Sequence, residues 1–406
     1  MRRRIFCATG GPCYNEIVQD IQIADPFDLT DTQRMIRDTV RDFAARVLEP
    51  KAAELDEKGA FCMDHFRRMA ELGLTGIPVP EEYGGAGADT LSFILAIEEI
   101  SKACGSTALG LAAHTSLGTM PIVDFGSDEL KRRYVPGNAR GETVGSYGLT
   151  EPGSGSDSGA SQTTATRAAG GWRINGSKLF MTNASVAKVM TITAVTDKPK
   201  AKHERISAFV LEADWKGVAV AKKEDKLGMR SSDTCYVTFD DVFVPEGNLL
   251  GEQGKGFSYF MQILNGGRIG IGALALGLAE GAYEKAVAYS KQRKTFGKPI
   301  AAHQAVAFKI ADMAVAITAA KHMIYHAARL KDAARPFKRE AAMAKLFASE
   351  MSMRVTRDAI QVLGGYGYMT EYGVERMYRD AKLCEIGEGT SEIQRIVISR
   401  EILGKL

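Results

Sequence analysis

Tyr147-Gly148-Leu149-Thr150-Glu151-Pro152-Gly153-Ser154-Gly155-Ser156-Asp157 marks the place where the texture of the chain changes, and that change decides the fold. Before it, apolar residues recur three and four apart: Ile36, Val40, Phe43 and Val47, then Phe66, Met69 and Leu72, then Ile94, Leu95 and Ile97 on to Ala113. Such spacing gives each helix one apolar stripe, so the chain to about residue 140 reads as all-helical. Thr30 and Gln33 form a capping box at its start, and the glycine-rich stretch 83–87 separates two of its helices. After the Gly/Ser stretch, short apolar segments of period two follow at 172–174, 189–195, 208–211 and 236–239, which reads as a small β-domain. Asn175-Gly176 predicts a tight hairpin within it, because both central turn positions take positive φ. Helical spacing returns after Gly256 through Ile271, Leu274, Leu278 and Tyr289, then Met313, Ile317, Ile324 and Leu330, then Met343, Phe347 and Val355. These long helices suit a bundle; Gly364-Gly365 caps the third, and 390–403 forms a last helix. The fold class expected is α+β, mainly helical: an N-terminal extension over 1–25, a helical domain over 26–145, a β-domain over 146–253 and a helical bundle over 254–406.

Composition narrows the function classes. A chain of 406 residues, 45% hydrophobic and 25% charged, can bury a large core. Its 52 basic and 49 acidic residues leave a net +3, too balanced to hold nucleic acid or an anionic membrane surface, so a small molecule is the expected partner. No apolar run reaches bilayer-spanning length, and no membrane insertion is expected. The six cysteines, Cys7, Cys13, Cys62, Cys104, Cys235 and Cys384, are scattered without a CxxC pair, which fits a reducing interior. The opening triple arginine suits a mitochondrial transit peptide, but Glu16, Asp20 and Asp25 are acids that such peptides avoid; a short disordered extension is the reading preferred. A bacterial cytoplasm is the expected compartment, or the mitochondrial matrix in a eukaryote.

Three segments could carry chemistry. Small residues and hydroxyls over 147–157 let backbone N–H groups approach a flavin or pyrophosphate, although a bare Gly/Ser loop is ordinarily a surface turn. Arg293-Lys294-Thr295-Phe296-Gly297-Lys298-Pro299 offers a guanidinium for phosphate and an aromatic face for a base; a solvated helix end with a proline stop explains it equally well. Gly387-Glu388-Gly389-Thr390 sets a carboxylate between glycines just before a helix, where dipole stabilisation is the ordinary explanation of an acid. Two other patterns carry nothing. Gly270-Ile271-Gly272-Ala273-Leu274-Ala275 matches GxGxxA, but helical spacing precedes it. His322 and His326 have ligand spacing without a third ligand or an HExxH glutamate, so no metal site is expected.

Taken in order, YGLTEPGSGSD, LFMTN, LGMRSSDT, RKTFGKP, QVLGGYGY, ERMYRDAK and GEGTSEIQR resemble the acyl-CoA dehydrogenase family from about Pro26 to Leu406. The resemblance implies a helical N-terminal domain, a middle β-domain and a C-terminal four-helix bundle, with FAD between the last two, shared with a neighbouring subunit of a homotetramer. It implies flavin contacts from Tyr147, Leu149, Thr150, Gly155 and Ser156 and from Phe180, Met181 and Thr182, with Ser156 also near the CoA ester. Arg293, Phe296, Gln304, Gln361, Val362, Leu363, Gly364 and Gly365 would serve the dinucleotide half of an adjacent subunit's FAD, and Thr390, Ser391 and Glu392 would complete the cofactor site. Glu388 resembles the family's base, which takes the α-proton of an acyl-CoA thioester while the β-hydrogen leaves as hydride to flavin N5, giving a trans-2-enoyl-CoA. Asn265, Gly266, Gly267 and Arg268, with Gly387 and Gly389, would lie near the substrate. An electron-transfer flavoprotein is the implied electron acceptor.

Departures from the family pattern carry information of their own. Some branched-chain and long-chain members hold their base immediately before the arginine, where this chain has Gly267, so Glu388 has no rival. Gly387 stands where many straight-chain members have tyrosine, which predicts room for a bulky, branched or aromatic acyl group. Phe180 replaces a tryptophan that packs on flavin, keeping an aromatic surface without the indole donor. Ser106 falls near the carboxylate-binding arginine of the glutaryl-CoA members, so that branch has no support. Oxidase and monooxygenase relatives fit less well: the chain is short for a two-bundle oxidase, and the monooxygenases lack the glutamate. A DNA-associating branch of the fold wants a basic surface that a net +3 does not supply.

Overall fold

The structure, a computed structural model, describes residues 27–404; the expected N-terminal extension lies outside them. The chain enters at α1 (Asp31–Phe43) through the capping box: the Thr30 side chain accepts from the Gln33 N–H at 3.2 Å, and the Gln33 side chain accepts from the Thr30 N–H at 3.0 Å. The Gln33 amide also donates to Asp89 at 2.7 Å, tying this start to the N-cap of a later helix. Helices α2 (Glu49–Lys58), α3 (Met63–Glu71), α4 (Thr90–Ala103), α5 (Gly105–Ala112), α6 (Met120–Phe125) and α7 (Asp128–Ala139) complete the helical region. Helix α4 is buried on nearly every face, as befits a helix packed between α1 and the C-terminal bundle.

The change of texture at Tyr147 is where strands begin. Eight strands form one sheet: β1 (Gly145–Gly148), β2 (Thr164–Ala168), β3 (Gly171–Thr182), β4 (Val189–Val195), β5 (Ile206–Glu212), β6 (Val218–Lys223), β7 (Thr234–Pro245) and β8 (Leu249–Leu250). Their order is β6-β7-β3-β2-β4-β5-β8, with β1 parallel to β4. Strand β4 is buried throughout because its two faces enter different cores. Met190, Ile192 and Ala194 join Trp172, Ile174, Phe209 and Val237, while Val189 packs with Ile122, Leu130, Tyr134 and Phe260 of the helical parts.

The expected hairpin at Asn175-Gly176 is corrected by the structure. Strand β3 runs through both residues, and the chain reversal lies instead at Ala169-Gly170, between the paired Ala168 and Gly171. Asn175 instead faces a bulge carried by β7: between the pairs Ile174–Val242 and Gly176–Phe239, Asp240 and Asp241 lie opposite this one residue. The Asn175 side chain accepts from the Asp241 N–H at 2.8 Å. Gly176 takes φ +144°, and a Cβ there would lie 2.6–2.8 Å from Thr163. Turn-forming residues were needed here for a long-range close approach rather than for a turn. Gly176→Ala is therefore expected to destabilise the protein by ~1–3 kcal/mol, read as a lowered Tm; an unchanged Tm would contradict this account of the close approach.

The C-terminal part opens with α8 (Gly256–Gln292), followed by the short hairpin β9 (Lys294–Thr295) and β10 (Lys298–Pro299). Then come α9 (Gln304–Asp332), α10 (Lys338–Leu363), α11 (Val374–Cys384) and α12 (Ser391–Leu403). Helices α8, α9 and α10 pack on one another, and α12 lies against α10. The GxGxxA stretch is buried in the middle of α8, the helix that α4 covers. Among the described residues no helix is long and apolar enough to cross a membrane.

Candidate active site

The loop between α11 and α12 throws Glu388 inward. Helix α11 ends with the Gly387 N–H donating to the Leu383 carbonyl at 2.8 Å. Glu388 then takes φ +53° and Gly389 φ +97°, a left-handed pair that costs about 1–3 kcal/mol at a non-glycine residue and persists only where neighbours enforce it. Enforcement comes from several directions. Thr390 caps α12, its side chain accepting from the Ile393 N–H at 3.3 Å, and the Ser391 N–H reaches back to the Glu385 carbonyl at 3.0 Å. The Gln394 amide donates to the Glu388 carbonyl at 3.3 Å and the Gly389 carbonyl at 2.9 Å. From α10, Lys345 Nζ donates to the same Gly389 carbonyl at 2.7 Å.

Held this way, the Glu388 carboxylate lies over Gly267 of α8. A Cβ at position 267 would stand 1.9 Å from Glu388 Oε2, so the carboxylate occupies the space that any side chain there would need. The residue is only half-buried, but Oε2 is shielded from solvent and has no hydrogen-bond partner among the described residues. Arg268 Nε and the Tyr147 hydroxyl are likewise shielded and unpartnered. An unsatisfied buried polar group costs about 1–3 kcal/mol, and a carboxylate that interacts with two others of the kind marks a place built for a ligand.

Electrostatics follow from that enclosure. Burial pushes Glu388 up to about 7, with the positive charges of Lys345 and Arg268 opposing the rise. Burial lowers Arg268 from its usual value while Glu388 holds it up, and Arg268 keeps its orientation by donating to Asn265 Oδ1 at 2.6 Å. The Tyr147 ring stacks on Phe260 at 4.3 Å, and burial, then the Glu388 charge, raises its hydroxyl well above the usual range.

Beside this centre the loop after β1 is pinned at its root and open at its tip. The fully buried Lys178 donates to the Leu149 carbonyl at 3.2 Å, to Glu151 at 2.7 Å and to Thr193 at 3.1 Å. Glu151 in turn accepts from the Gln162 and Thr163 N–H groups at 2.6 and 3.1 Å. Burial pushes Glu151 up, but the Lys178 charge and these bonds outweigh it and hold the carboxyl at about 2. Gly155 has nothing within 4 Å of a would-be Cβ, and Ser156 is exposed. On β3 a second bulge, between Lys178 and Met181, leaves Phe180 at φ +58° and 60% exposed, with Met181 buried and Thr182 half-buried behind it. An aromatic ring held open on a bulge, next to a loop whose Gly155-Ser156 tip is exposed, fits a flat ring system such as the isoalloxazine of FAD.

The residues expected to serve an adjacent subunit's FAD lie away from this centre. Arg293, Val362, Leu363, Gly364 and Gly365 line a separate hollow of about 470 Å³ with Tyr289, Thr295, Ile300, Tyr366 and Met369. Phe296, at φ +50° in the turn between β9 and β10, is 94% exposed, and Gln304 and Gln361 are exposed as well. Ser391 is buried with its hydroxyl unpartnered, and Glu392 is exposed. The residues that sequence reasoning missed are Lys178, Lys345 and Gln394. Two of them left a signal: Lys178 shares the inward parity of Trp172 and Ile174, and Lys345 lies in the buried stripe of Ala341, Ala348 and Ser352.

Comparison with known proteins agrees along the whole described chain. Residues 30–142, 146–242 and 254–403 match the N-terminal, middle and C-terminal domains of acyl-CoA dehydrogenase. A short-chain specific acyl-CoA dehydrogenase of Clostridium acetobutylicum is 50% identical over 93% of this chain and 99% of its own. The structure of butyryl-CoA dehydrogenase from Megasphaera elsdenii superposes with a TM-score of 0.91 at 44% identity, covering 92% of this chain and 99% of that one. A glutaryl-CoA dehydrogenase from Mycobacterium smegmatis in complex with FADH2 gives 0.88 at 30% identity, covering 93% and 96%. An enclosed carboxylate beside an open flavin-sized face is thus found on a chain whose three domains all match one enzyme group: the chain belongs to the acyl-CoA dehydrogenase family of FAD-dependent oxidoreductases.

Proposed function

We propose that Glu388 is the base that removes the α-proton of a bound acyl-CoA thioester, the step that opens α,β-dehydrogenation to the trans-2-enoyl-CoA. The observation that carries this reading is the Glu388 carboxylate itself, shielded, unpartnered and raised to about 7, where an ionised carboxylate can accept a proton near neutral pH. Proton loss puts charge on the thioester oxygen. Among the described residues no acceptor takes the Glu388 N–H, which leaves that donor available to the oxygen. FAD supplies the other half of the chemistry, accepting the β-hydrogen as hydride. Tyr147, Leu149, Thr150, Gly155, Ser156, Phe180, Met181 and Thr182 would hold its ring, with Thr390, Ser391 and Glu392 alongside. Asn265, Gly266, Gly267, Arg268, Gly387 and Gly389 would border the acyl group.

Arg293 lies just beyond α8, roughly 37 Å along the helix from Arg268 at about 1.5 Å per residue, too far for one dinucleotide to touch both. This distance supports the reading in which the hollow at Arg293, with Phe296, Gln304 and Gln361, serves the FAD of a neighbouring copy in a homotetramer. An electron-transfer flavoprotein would be the electron acceptor, and its reduction is expected to outpace oxygen uptake. A bacterial cytoplasm suits the bacterial relative and the scattered cysteines.

For the acyl group, two observations bear on different dimensions. The relatives named short-chain specific and butyryl-CoA dehydrogenase favour a short main chain. A Cβ at Gly387 would meet only Leu383, at 3.5 Å or more, so a side chain would fit and its absence leaves free volume beside the base. We infer a short main chain carrying a branch or ring. Anaerobic flavin bleaching across butyryl, octanoyl, methyl-branched and aryl-substituted acyl-CoAs tests it: the largest kcat/KM is expected on a short branched or aryl thioester. A clear preference for unbranched butyryl or octanoyl thioesters would overturn the bulky-group reading.

A further inference from the structure

We propose that Lys345 is a positioning residue for the Glu388 base, locking the Gly389 carbonyl from α10 and placing its ammonium charge behind the loop that carries the carboxylate. This rests on the reading of Glu388 as the base.

The case begins with three other enclosed lysines of this fold. Lys178 sits on Glu151 at 2.7 Å, Lys102 on Glu280 at 2.8 Å, and Lys321 on Glu98 at 2.9 Å. Each has an acid within contact, which is the ordinary way to keep a charge out of water. Lys345 is 0% exposed and, among the described residues, has no carboxylate within 4.0 Å. Of the three hydrogen bonds an ammonium can donate, it makes one among the described residues, to the Gly389 carbonyl at 2.7 Å. A lysine that only filled space or braced helices would not need to bring an unneutralised charge here, since methionine fills the same volume.

The charges that face it account for its presence. Glu388 faces it from the loop, Arg268 from α8 and Glu385 from beyond the end of α11, with the Cys384 thiol, which burial keeps protonated, beside them; Tyr147 faces Glu388 from β1. Glu385 is already paired with Lys382 at 2.6 Å, so Glu388 is the acid left to balance Arg268 and Lys345. Two cations around one carboxylate favour its ionised form, against the burial that disfavours it. Burial lowers Lys345 itself to about 8, and it therefore carries its charge through the range in which Glu388, at about 7, gains its proton. Lys345 thus keeps the base ionised at lower pH than enclosure alone would allow, while its hydrogen bond fixes the carbonyl next to the strained residue.

The test is anaerobic flavin reduction of the FAD-loaded full-length enzyme at saturating acyl-CoA, as a function of pH. In K345M the rate at neutral pH is expected to fall about tenfold with KM nearly unchanged, and the acidic limb to move up by about one pH unit, because an opposing cation is gone. K345R keeps the charge and is expected to hold the limb at the wild-type position even if its rate drops. Should K345M not load flavin, K345Q is read in its place. A neutral variant whose limb stays, or a K345R limb that moves as far as the neutral variant's, overturns the proposal. E388Q run alongside separates the two readings. If E388Q still reduces its flavin, the base assignment fails; if E388Q is silent and the neutral variant's limb is unmoved, only the lysine proposal fails.

Discussion

Gly267→Ala is expected to slow flavin reduction by bound acyl-CoA about a hundredfold or more while leaving the enzyme folded and flavin-loaded. The added methyl carbon would lie 1.9 Å from Glu388 Oε2 and 2.8 Å from its Cδ, distances that no pair of non-bonded atoms tolerates. Something must move, and the choices are few. The Gly267 backbone is inside a 37-residue helix, and the Glu388-Gly389 backbone is held by Gln394, by Lys345 at the Gly389 carbonyl, and by the cap of α12. The carboxylate is the part free to rotate, and displacing a reacting group by about 1 Å costs on the order of a hundredfold in rate. Alanine is the better helix former by roughly 1 kcal/mol, so α8 itself gains rather than loses. Stopped-flow bleaching alongside Tm and flavin content distinguishes the outcomes: a slow enzyme of normal stability is expected, and a variant with near wild-type rate would mean that the carboxylate does not work from over Gly267.

That contact also shows what a sequence makes legible and what it withholds. Local instructions were readable: the Thr30/Gln33 capping box, the shift from helical to period-two spacing at Tyr147, and the glycine at the end of α10 each act within a few residues, and each is found where the pattern put it. The resemblance carried by GEGTSEIQR and its companions marked Glu388 and Gly267 separately. That the carboxylate fills the side-chain space of position 267 depends on α8 meeting the loop after α11, and nothing in either motif states it. Asn175-Gly176 misled for the same reason, since the demand for glycine came from Thr163, beside it just before the start of the neighbouring β2. Lys178 and Lys345 were readable in principle from the parity of β3 and the buried stripe of α10. A lysine's charge, however, argues for the surface until its partners are seen.

Glu388→Gln is the other substitution of large expected effect. Glutamine keeps the volume of the side chain, and the backbone bonds of the loop do not involve the carboxylate, so the fold and the flavin site are expected to survive. What it removes is the acceptor for the α-proton, an interaction that counts only in the transition state. General base catalysis of this kind contributes roughly 10²–10⁴-fold, and a loss near 10³-fold corresponds to about 4 kcal/mol of barrier. The pH dependence has a definite sign. Because enclosure raises the Glu388 carboxyl to about 7, the wild-type rate is expected to climb as pH rises through that value and the base ionises, and to fall below it, where the carboxylic acid cannot take a second proton. The most direct measurement is therefore single-turnover anaerobic bleaching of the flavin by saturating acyl-CoA, wild type against Glu388→Gln, across that pH range. The wild type is expected to show the limb near 7, and the variant to bleach at least about a thousandfold more slowly with no limb at all. A Glu388→Gln enzyme that bleaches at the wild-type rate, with the same limb, would contradict the assignment of Glu388 as the base.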